Sequence, residues 1–235
     1  MRLPAKIVAI RHETPTIRSF RLDLRGHEIG FMAGQWVDFF VNIEGAEAVG
    51  GYSITSSPAE QATISLAVKR DGSDHPVTNW LHEEARVGDL VEVSLGGDFY
   101  YEPDEAESVV LIAGGIGLTP LMSIVRSADE LATRTHLTLI YSASTPDELL
   151  FRDELNSIAA ANSRVRPIFT VTRPVRDGEW DGHTGRIDAD LLISESVDLD
   201  ALFFVCGPPP MIRAMVATLR NLGVPRPRIR YEQWW

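Results

Sequence analysis

The sequence predicts two domains: an antiparallel β-barrel over residues 1–104, then a doubly wound α/β domain with a parallel sheet over residues 105–235. Three observations carry this reading. Apolar and polar residues alternate with a period of two through much of the first hundred positions. Short, continuous apolar runs then alternate with amphipathic stretches. Two of those apolar runs end directly in glycine and lead into a proline-opened helix.

In the first half, Phe20, Leu22 and Leu24 alternate with Ser19, Arg21 and Asp23, as in a half-buried strand. The alternation recurs at Val37, Phe39 and Val41, at Ile64, Leu66 and Val68, and at Val91, Val93 and Leu95. Turns at Gly26, Gly45, Gly72 and Gly88 separate these runs, and short strands with regular turns make a small antiparallel barrel or sandwich. One short helix is expected to interrupt it, with Thr78 as N-cap before Asn79, Trp80, Leu81 and His82.

The pattern changes near Glu102-Pro103-Asp104-Glu105. Apolar runs follow at 109–113, 137–141, 168–172 and 202–206, with amphipathic stretches at 148–161 and 209–222 between and after them. Strands that are apolar on both faces must be covered on both faces, which implies a parallel sheet between helices. A last strand is expected over 228–231, ending at Glu232. The sequence carries no internal repeat and no low-complexity tract.

Composition narrows the function. Apolar residues make up 44% and charged residues 23%, the balance of an ordinary globular chain. The formal net charge of -11 repels polyanions, so nucleic acid is not an expected partner. The one cysteine, Cys206, excludes an internal disulfide and a cysteine-ligated iron–sulfur cluster, and no metal site is expected. Residues 1–10 are too polar for a signal peptide, and no apolar run approaches the roughly eighteen residues of a membrane span. The expected compartment is the cytoplasm, with no membrane span.

The strongest motif runs from Val109 to Pro120: a buried strand, then Gly114, Gly115 and Gly117, then Thr119 and Pro120 opening a helix. Glycines let the backbone approach a phosphate, and a helix N-terminus offers unpaired N–H donors. A plain glycine-rich connection is the alternative. The second motif, Leu202 to Met211, repeats the design with Cys206, Gly207, Pro208, Pro209 and Met211. That places Cys206 at the carboxyl end of a parallel strand, where open α/β sheets bind ligands. A lone cysteine there is more often a small core residue. Ser142, Thr172 and Glu232 are expected on the same rim.

Taken together, these segments resemble the ferredoxin–NADP reductase superfamily over essentially the whole chain. The resemblance implies a barrel that holds FAD and an α/β domain that presents a nicotinamide to it. Residues 114–120 look like the family's pyrophosphate loop, and Cys206-Gly207-Pro208-Pro209-Pro210-Met211 matches its CGPPxM segment. The flavin motif, usually Arg-x-Tyr-Ser-x-x-Ser, here reads Gly50-Gly51-Tyr52-Ser53-Ile54-Thr55-Ser56, so Gly50 stands in place of the phosphate-gripping arginine. In the family's Gly-x-x-Ser/Thr segment, Thr78 is kept and His75 replaces the glycine. Residues 94–99 resemble a Gly-Pro-x-Gly-x-Phe segment with its first two positions changed. More narrowly, residues 50–54 and the closing Tyr231-Glu232-Gln233-Trp234-Trp235 are similar to the branch called oxidoreductase NAD-binding-domain-containing proteins. Its mitochondrial members carry a transit segment, and a bacterial cytoplasmic homologue is the simpler reading of this chain.

The resemblance implies a flavin-dependent NAD(P)H oxidoreductase whose electron acceptor is unidentified. Ser53, Cys206 and Glu232 become the catalytic candidates. Tyr52, Ser53, Ile54, Ser56, Lys69, His75, Val77, Thr78 and Trp235 become the flavin contacts, with Trp234 or Trp235 as an aromatic lid. The NAD(P) contacts are the two glycine loops together with Ser142 and Arg173. Lys69 or Arg70 would compensate for the missing arginine. Asp147 and Glu148 favour NADH over NADPH by repelling a 2′-phosphate, against which Arg152 and Arg173 stand as available cations. The alternative is an NAD(P)-binding module with weakened flavin affinity, acting as a sensor or electron-transfer subunit.

Overall fold

Among the described residues, twelve strands form two sheets. In this computed structural model, which describes residues 1–70, 72, 74–131, 133–173 and 180–233, each sheet has six strands. The first contains β1 (Leu3–His12), β2 (Ile17–Asp23), β3 (Trp36–Ile43), β4 (Ala46–Ser53), β5 (Thr63–Lys69) and β6 (Leu90–Gly96). All its pairings are antiparallel, in the order β4-β3-β6-β1-β2-β5. The two outer strands meet where Ile54 bridges Leu66, which brings the sheet round into a barrel. Inside lie the alternating residues of the sequence pattern: Phe20, Leu22, Val37, Phe39, Ile64, Leu66, Val91 and Val93 are all buried.

β1 and β4 extend the barrel beyond the four alternating runs. In β1, buried Leu3, Ala5 and Ile7 alternate with exposed residues. β4 is mostly exposed or half-buried and carries Gly50-Gly51, so it has little apolar period to read. The interrupting helix is α1 (Pro76–Glu83), and its start corrects the sequence expectation. Thr78 lies inside the first turn, Pro76 opens the helix, and His75 is the N-cap with no side-chain capping bond. Proline's fixed φ and missing N–H suit the first helical position, and this outweighs the capping preference of a later threonine.

The second sheet contains β7 (Ser108–Gly114), β8 (His136–Ala143), β9 (Val165–Val171), β10 (His183–Thr184), β11 (Leu202–Cys206) and β12 (Ile229–Glu232). It is parallel throughout, in the order β10-β9-β8-β7-β11-β12. From β7 the chain moves outward through β8 and β9 to β10, then returns to the other side of β7 for β11 and β12. The switch point therefore lies between β7 and β11, where an open parallel sheet forms a crevice at its carboxyl ends.

Helices cover both faces. α2 (Leu118–Glu130) and α3 (Arg152–Ala161) bury Leu121, Ile124, Val125 and Leu155 on the barrel side. On the outer side, α4 (Ala189–Ser194) and α5 (Pro209–Asn221) bury Leu191, Leu192, Ile212 and Met215. The helix expected from residue 148 begins at Arg152, after a 3-10 turn over Pro146–Glu148. The apolar cluster beneath α2 includes Ile17, Ala33, Ala67 and Phe99 of the barrel half, so one core crosses the junction. Phe99 meets Phe204 edge-on at 5.4 Å, and the Tyr101 hydroxyl donates to Thr135 Oγ1 at 2.9 Å.

His82 on α1 is buried and bonds to the Val68 carbonyl through Nε2 at 3.0 Å, which requires the neutral ring to donate. Burial holds its imidazole below the ordinary histidine range, and Arg18, Arg70 and His12 press the same way. A depressed base leaves stability intact above the unfolded value and erodes it as pH falls, because the unfolded chain takes up the proton first. Unfolding free energy is expected to decline as pH falls below the ordinary histidine range of about 6.5. His82→Gln should flatten that decline, and urea titrations of both proteins at successively lower pH check it.

Candidate nucleotide and flavin site

The two glycine loops lie against each other at the switch point. β7 ends at Gly114 and runs through a 3-10 turn over Gly115–Gly117 into α2, while β11 ends at Cys206 and runs through Gly207 and Pro208 into α5. A Cβ on Gly117 would sit 2.4 Å from the Cys206 carbonyl oxygen. One on Gly114 would sit 2.3 Å from the Met211 sulfur, and one on Gly207 would be 3.1 Å from the Gly114 Cα. The loops therefore meet backbone to backbone, and glycine is required by this approach more than by local φ.

A cleft of about 410 Å³ opens in front of them. The α/β domain lines it with Gly114, Gly115, Ser142, Thr172, Pro208 and Met211, and the barrel contributes Ile17 and Lys69. Register explains the convergence, since Ser142 aligns with Gly114, and Cys206 aligns with Ala113 on one side and Glu232 on the other. Such a cradle fits a pyrophosphate: the backbone is bare at the glycines, and the helix after them carries no side-chain cap.

Several expected contacts are placed differently. Thr119 is buried with its hydroxyl donating to the Ile116 carbonyl at 2.9 Å, and Pro120 is buried beside it, so both shape the turn. Pro210, more than Pro209, lines the cleft. Arg173 is exposed, whereas Arg186 and Ile187 reach the cleft wall without having been singled out in the sequence. They follow β10, a strand of two residues that leaves no periodicity to read. Glu148 lines the cleft and is also tied across the junction, accepting from Thr16 Oγ1 at 2.7 Å. Arg70 pairs with Glu83 on the surface, so of Lys69 and Arg70 it is Lys69 that lines the cleft.

Cys206 is fully buried and belongs to the core cluster under the loops. Burial pushes its thiol up, and the neighbouring Glu232 carboxylate adds to the shift, so it remains protonated at neutral pH. Such a group is a neutral, polarizable part of the core beneath the loops, and neither a nucleophile nor an acid.

On the barrel side, Tyr52 and Ser53 end β4, with Ser53 opposite Trp36 in register. The Tyr52 ring meets Phe39 edge-on at 6.1 Å and leans back over Gly50, where a Cβ would lie 2.7 Å from its hydroxyl. That hydroxyl bonds to Thr78 Oγ1 at 3.0 Å, and burial pushes the phenol up to about 12, so it stays protonated. The uncapped first turn of α1, with Val77 and Thr78, thus begins beside Tyr52. Aromatic face, hydroxyls and a helix N-terminus that its N-cap side chain leaves unbonded, on one side of the barrel, are a donor set that fits a flavin nucleotide. Ser56 is buried, and its hydroxyl accepts from the Ser65 amide at 3.1 Å. Trp234 and Trp235, the expected lid, lie outside the described residues.

Comparison with known proteins agrees with this geometry. Residues 4–99 match the oxidoreductase FAD-binding domain, and residues 111–217 match the oxidoreductase NAD-binding domain. The chain is 39% identical over 251 residues to oxidoreductase NAD-binding domain-containing protein 1 of Danio rerio, covering 98% of this chain and 91% of that one. The chain belongs to the ferredoxin–NADP reductase family. It is also 29% identical to ferredoxin–NADP reductase B of Sorangium cellulosum, over 98% of this chain and 96% of the relative. The flavohem-like FAD/NAD binding domain of nitric oxide dioxygenase from Vibrio cholerae superposes with a TM-score of 0.88 at 25% identity, covering 99% and 98% of the two chains. As a member of this family the chain is an oxidoreductase type that binds FAD and a pyridine nucleotide. Among the described residues, no helix is long and apolar enough to cross a membrane, and no cluster of three or more His, Cys, Asp or Glu is arranged to hold a metal.

The close approach of the loops yields a direct test. Gly117→Ala drives a methyl into the Cys206 carbonyl and should cost about 1–3 kcal/mol, as overpacking does elsewhere. Native Cys206 should resist maleimide labelling until the protein unfolds, and the Gly117→Ala variant should label faster. Denaturant titration with timed labelling checks both.

Proposed function

We propose that this protein is an NADH-dependent FAD oxidoreductase, with a flavin-binding barrel and a nucleotide-binding domain divided near residue 104. The observation that carries the reading is the cleft at the sheet's switch point, walled by Gly114 and Met211 on one side and by Ile17 and Lys69 of the barrel on the other.

In this reading Gly114, Gly115, Gly117 and Gly207 hold the dinucleotide pyrophosphate on bare backbone. Ser142 and Thr172 line the way to the adenosine end. Cys206 underlies the nicotinamide as a neutral thiol, and Glu232 beside it polarises that end of the cleft. Tyr52 packs against the isoalloxazine and Ser53 donates a hydrogen bond to its reactive edge. Ile54 and Ser56 fix the segment behind them. His75, Val77 and Thr78 offer the α1 N-terminus to the flavin phosphate, and Lys69, in the cleft wall, adds a positive charge. FAD, when bound, supplies the hydride-accepting and electron-releasing chemistry. Electrons leave to a small-molecule or protein acceptor.

Glu148 in the cleft wall supports NADH over NADPH, because a carboxylate there disfavours a 2′-phosphate. Arg186 and Lys69 line the same cleft, so the preference rests on the balance of three charges.

Titrating the apoprotein with FAD should show saturable binding, weaker by about ten- to a hundredfold than in relatives that keep the arginine, because one charge-assisted bond is missing. No binding at any practical concentration sinks the oxidoreductase reading and leaves the nucleotide-binding module, for which Tyr52 lying over Gly50 is the favouring observation. With FAD present, NADH should exceed NADPH in kcat/KM, and Glu148→Gln should raise NADPH efficiency by about tenfold. Cys206→Ser should slow NADH oxidation with little change in melting temperature. A fully active but much less stable variant assigns Cys206 to the core alone.

A further inference from the structure

We infer that Arg126 and Ser123 on α2 are positioning residues that set the flavin segment at a fixed distance from the nicotinamide loop. The inference rests on the function proposed above. Ser123 Oγ donates to the Ser56 carbonyl at 2.7 Å, and Arg126 Nη1 donates to the Thr55 carbonyl at 2.7 Å. These are bonds from the nucleotide domain to the two residues that follow Tyr52-Ser53-Ile54. Ser123, Thr55 and Ser56 are buried, and the Arg126 side chain is 17% exposed.

Both ends of the contact are stiff. On the barrel, the Ile54 amide donates to the Gln35 carbonyl, the Thr55 amide to the Ser65 carbonyl, and the Ser65 amide to Ser56 Oγ. On the other side, Arg126 is held by both Glu154 oxygens, each at 2.7 Å, and its guanidinium lies over the Phe151 ring at 4.7 Å. A bidentate, stacked guanidinium is a geometric constraint more than a charge, and lysine reproduces only part of it.

The distances connect this contact to the chemistry. Ser123 lies six residues beyond Gly117, which is about 9 Å along a helix. Ser53 precedes Thr55 by two residues, about 7 Å of extended chain. Residues 123 and 126 are three apart and share one helix face, so both donors point to the same strip of backbone. Hydride transfer demands reacting atoms about 3–3.5 Å apart, and a misplacement of about 1 Å costs roughly a hundredfold in rate. A contact that fixes one ring carrier against the other is therefore expected to act on the transfer step and to spare the binding of either nucleotide.

The test measures FAD-loaded wild type, Ser123→Ala, Arg126→Gln and Arg126→Lys by stopped flow, following flavin reduction by NADH. Long-wavelength charge-transfer absorbance, FAD affinity, NADH affinity and melting temperature are recorded for each. Arg126→Gln should reduce flavin about ten- to a hundredfold more slowly and lose the charge-transfer absorbance, with both affinities within about threefold of wild type. Arg126→Lys should recover part of the rate, since it restores one donor to the Thr55 carbonyl. Ser123→Ala, which deletes one hydroxyl in a folded helix, should slow reduction by about three- to tenfold and remains decisive if Arg126→Gln does not fold. Wild-type reduction rates and absorbance in the variants, with only a lower melting temperature, overturn the positioning role. A wild-type protein that takes up FAD but is not reduced by NADH or NADPH overturns the function reading instead, and the inference with it.

Discussion

The functional geometry of this protein depends on one contact: the backbone of the β7 loop lying directly on the backbone of the β11 loop. Parallel strands at a switch point diverge in their connections, and a gap between them is the ordinary result. Here Gly117 under the Cys206 carbonyl and Gly114 against Met211 close that gap at the base. The space left above is a cleft with a floor of peptide groups. Larger residues at these glycines would lift the loops apart, and α2 and α5, which begin within a few residues of them, would lose their common origin.

From that origin the rest of the assembly follows in order. α2 carries its apolar face into the same core as Ile17, Ala67 and Phe99, so the helix that starts at the β7 loop also roofs the barrel. Its polar donors, Ser123 and Arg126, meet the carbonyls beyond the Tyr52-Ser53 pair. Interdomain interfaces are commonly polar and permit relative motion, whereas a continuous apolar core with buried hydrogen bonds opposes it. The cleft is therefore framed by a junction with a shared apolar core and buried interdomain hydrogen bonds.

Much of this was legible in the sequence, and the reasons for the gaps are physical. The parallel strands were visible because burial on both faces leaves uninterrupted apolar runs, as in Val109 to Ala113 and Leu202 to Cys206. The loops that follow them were visible because glycine and proline have few substitutes in such geometry. β4 was hidden because it is largely solvent-facing and contains Gly50-Gly51, and β10 because two residues have no period. Arg186, which depends on β10 for its place at the cleft, was hidden with it. The Thr78 error came from weighing a capping side chain above Pro76, whose ring already fixes the first turn. Nothing in the sequence pattern marks Arg126, because its partner across the junction is the Thr55 main-chain carbonyl and carbonyls carry no sequence signature.

The altered flavin motif shows how one substitution propagates through packing. With glycine at position 50, the Tyr52 ring folds back over the bare backbone, and its hydroxyl reaches Thr78. The tyrosine is thereby braced by its own strand and by α1, without a long cationic side chain alongside. An arginine at position 50 would need that same volume, so restoring the family residue alone would displace the ring before it added a phosphate contact. The positive field at this side of the barrel then falls to the α1 N-terminus, which the His75 side chain does not cap, and to Lys69 at the end of β5. Partial charges on backbone amides orient an anion but attract it less strongly than a guanidinium does. In the proposed reading, a flavin on this face would be held by shape more than by charge, which suits a chain whose net charge of -11 already opposes anions at long range.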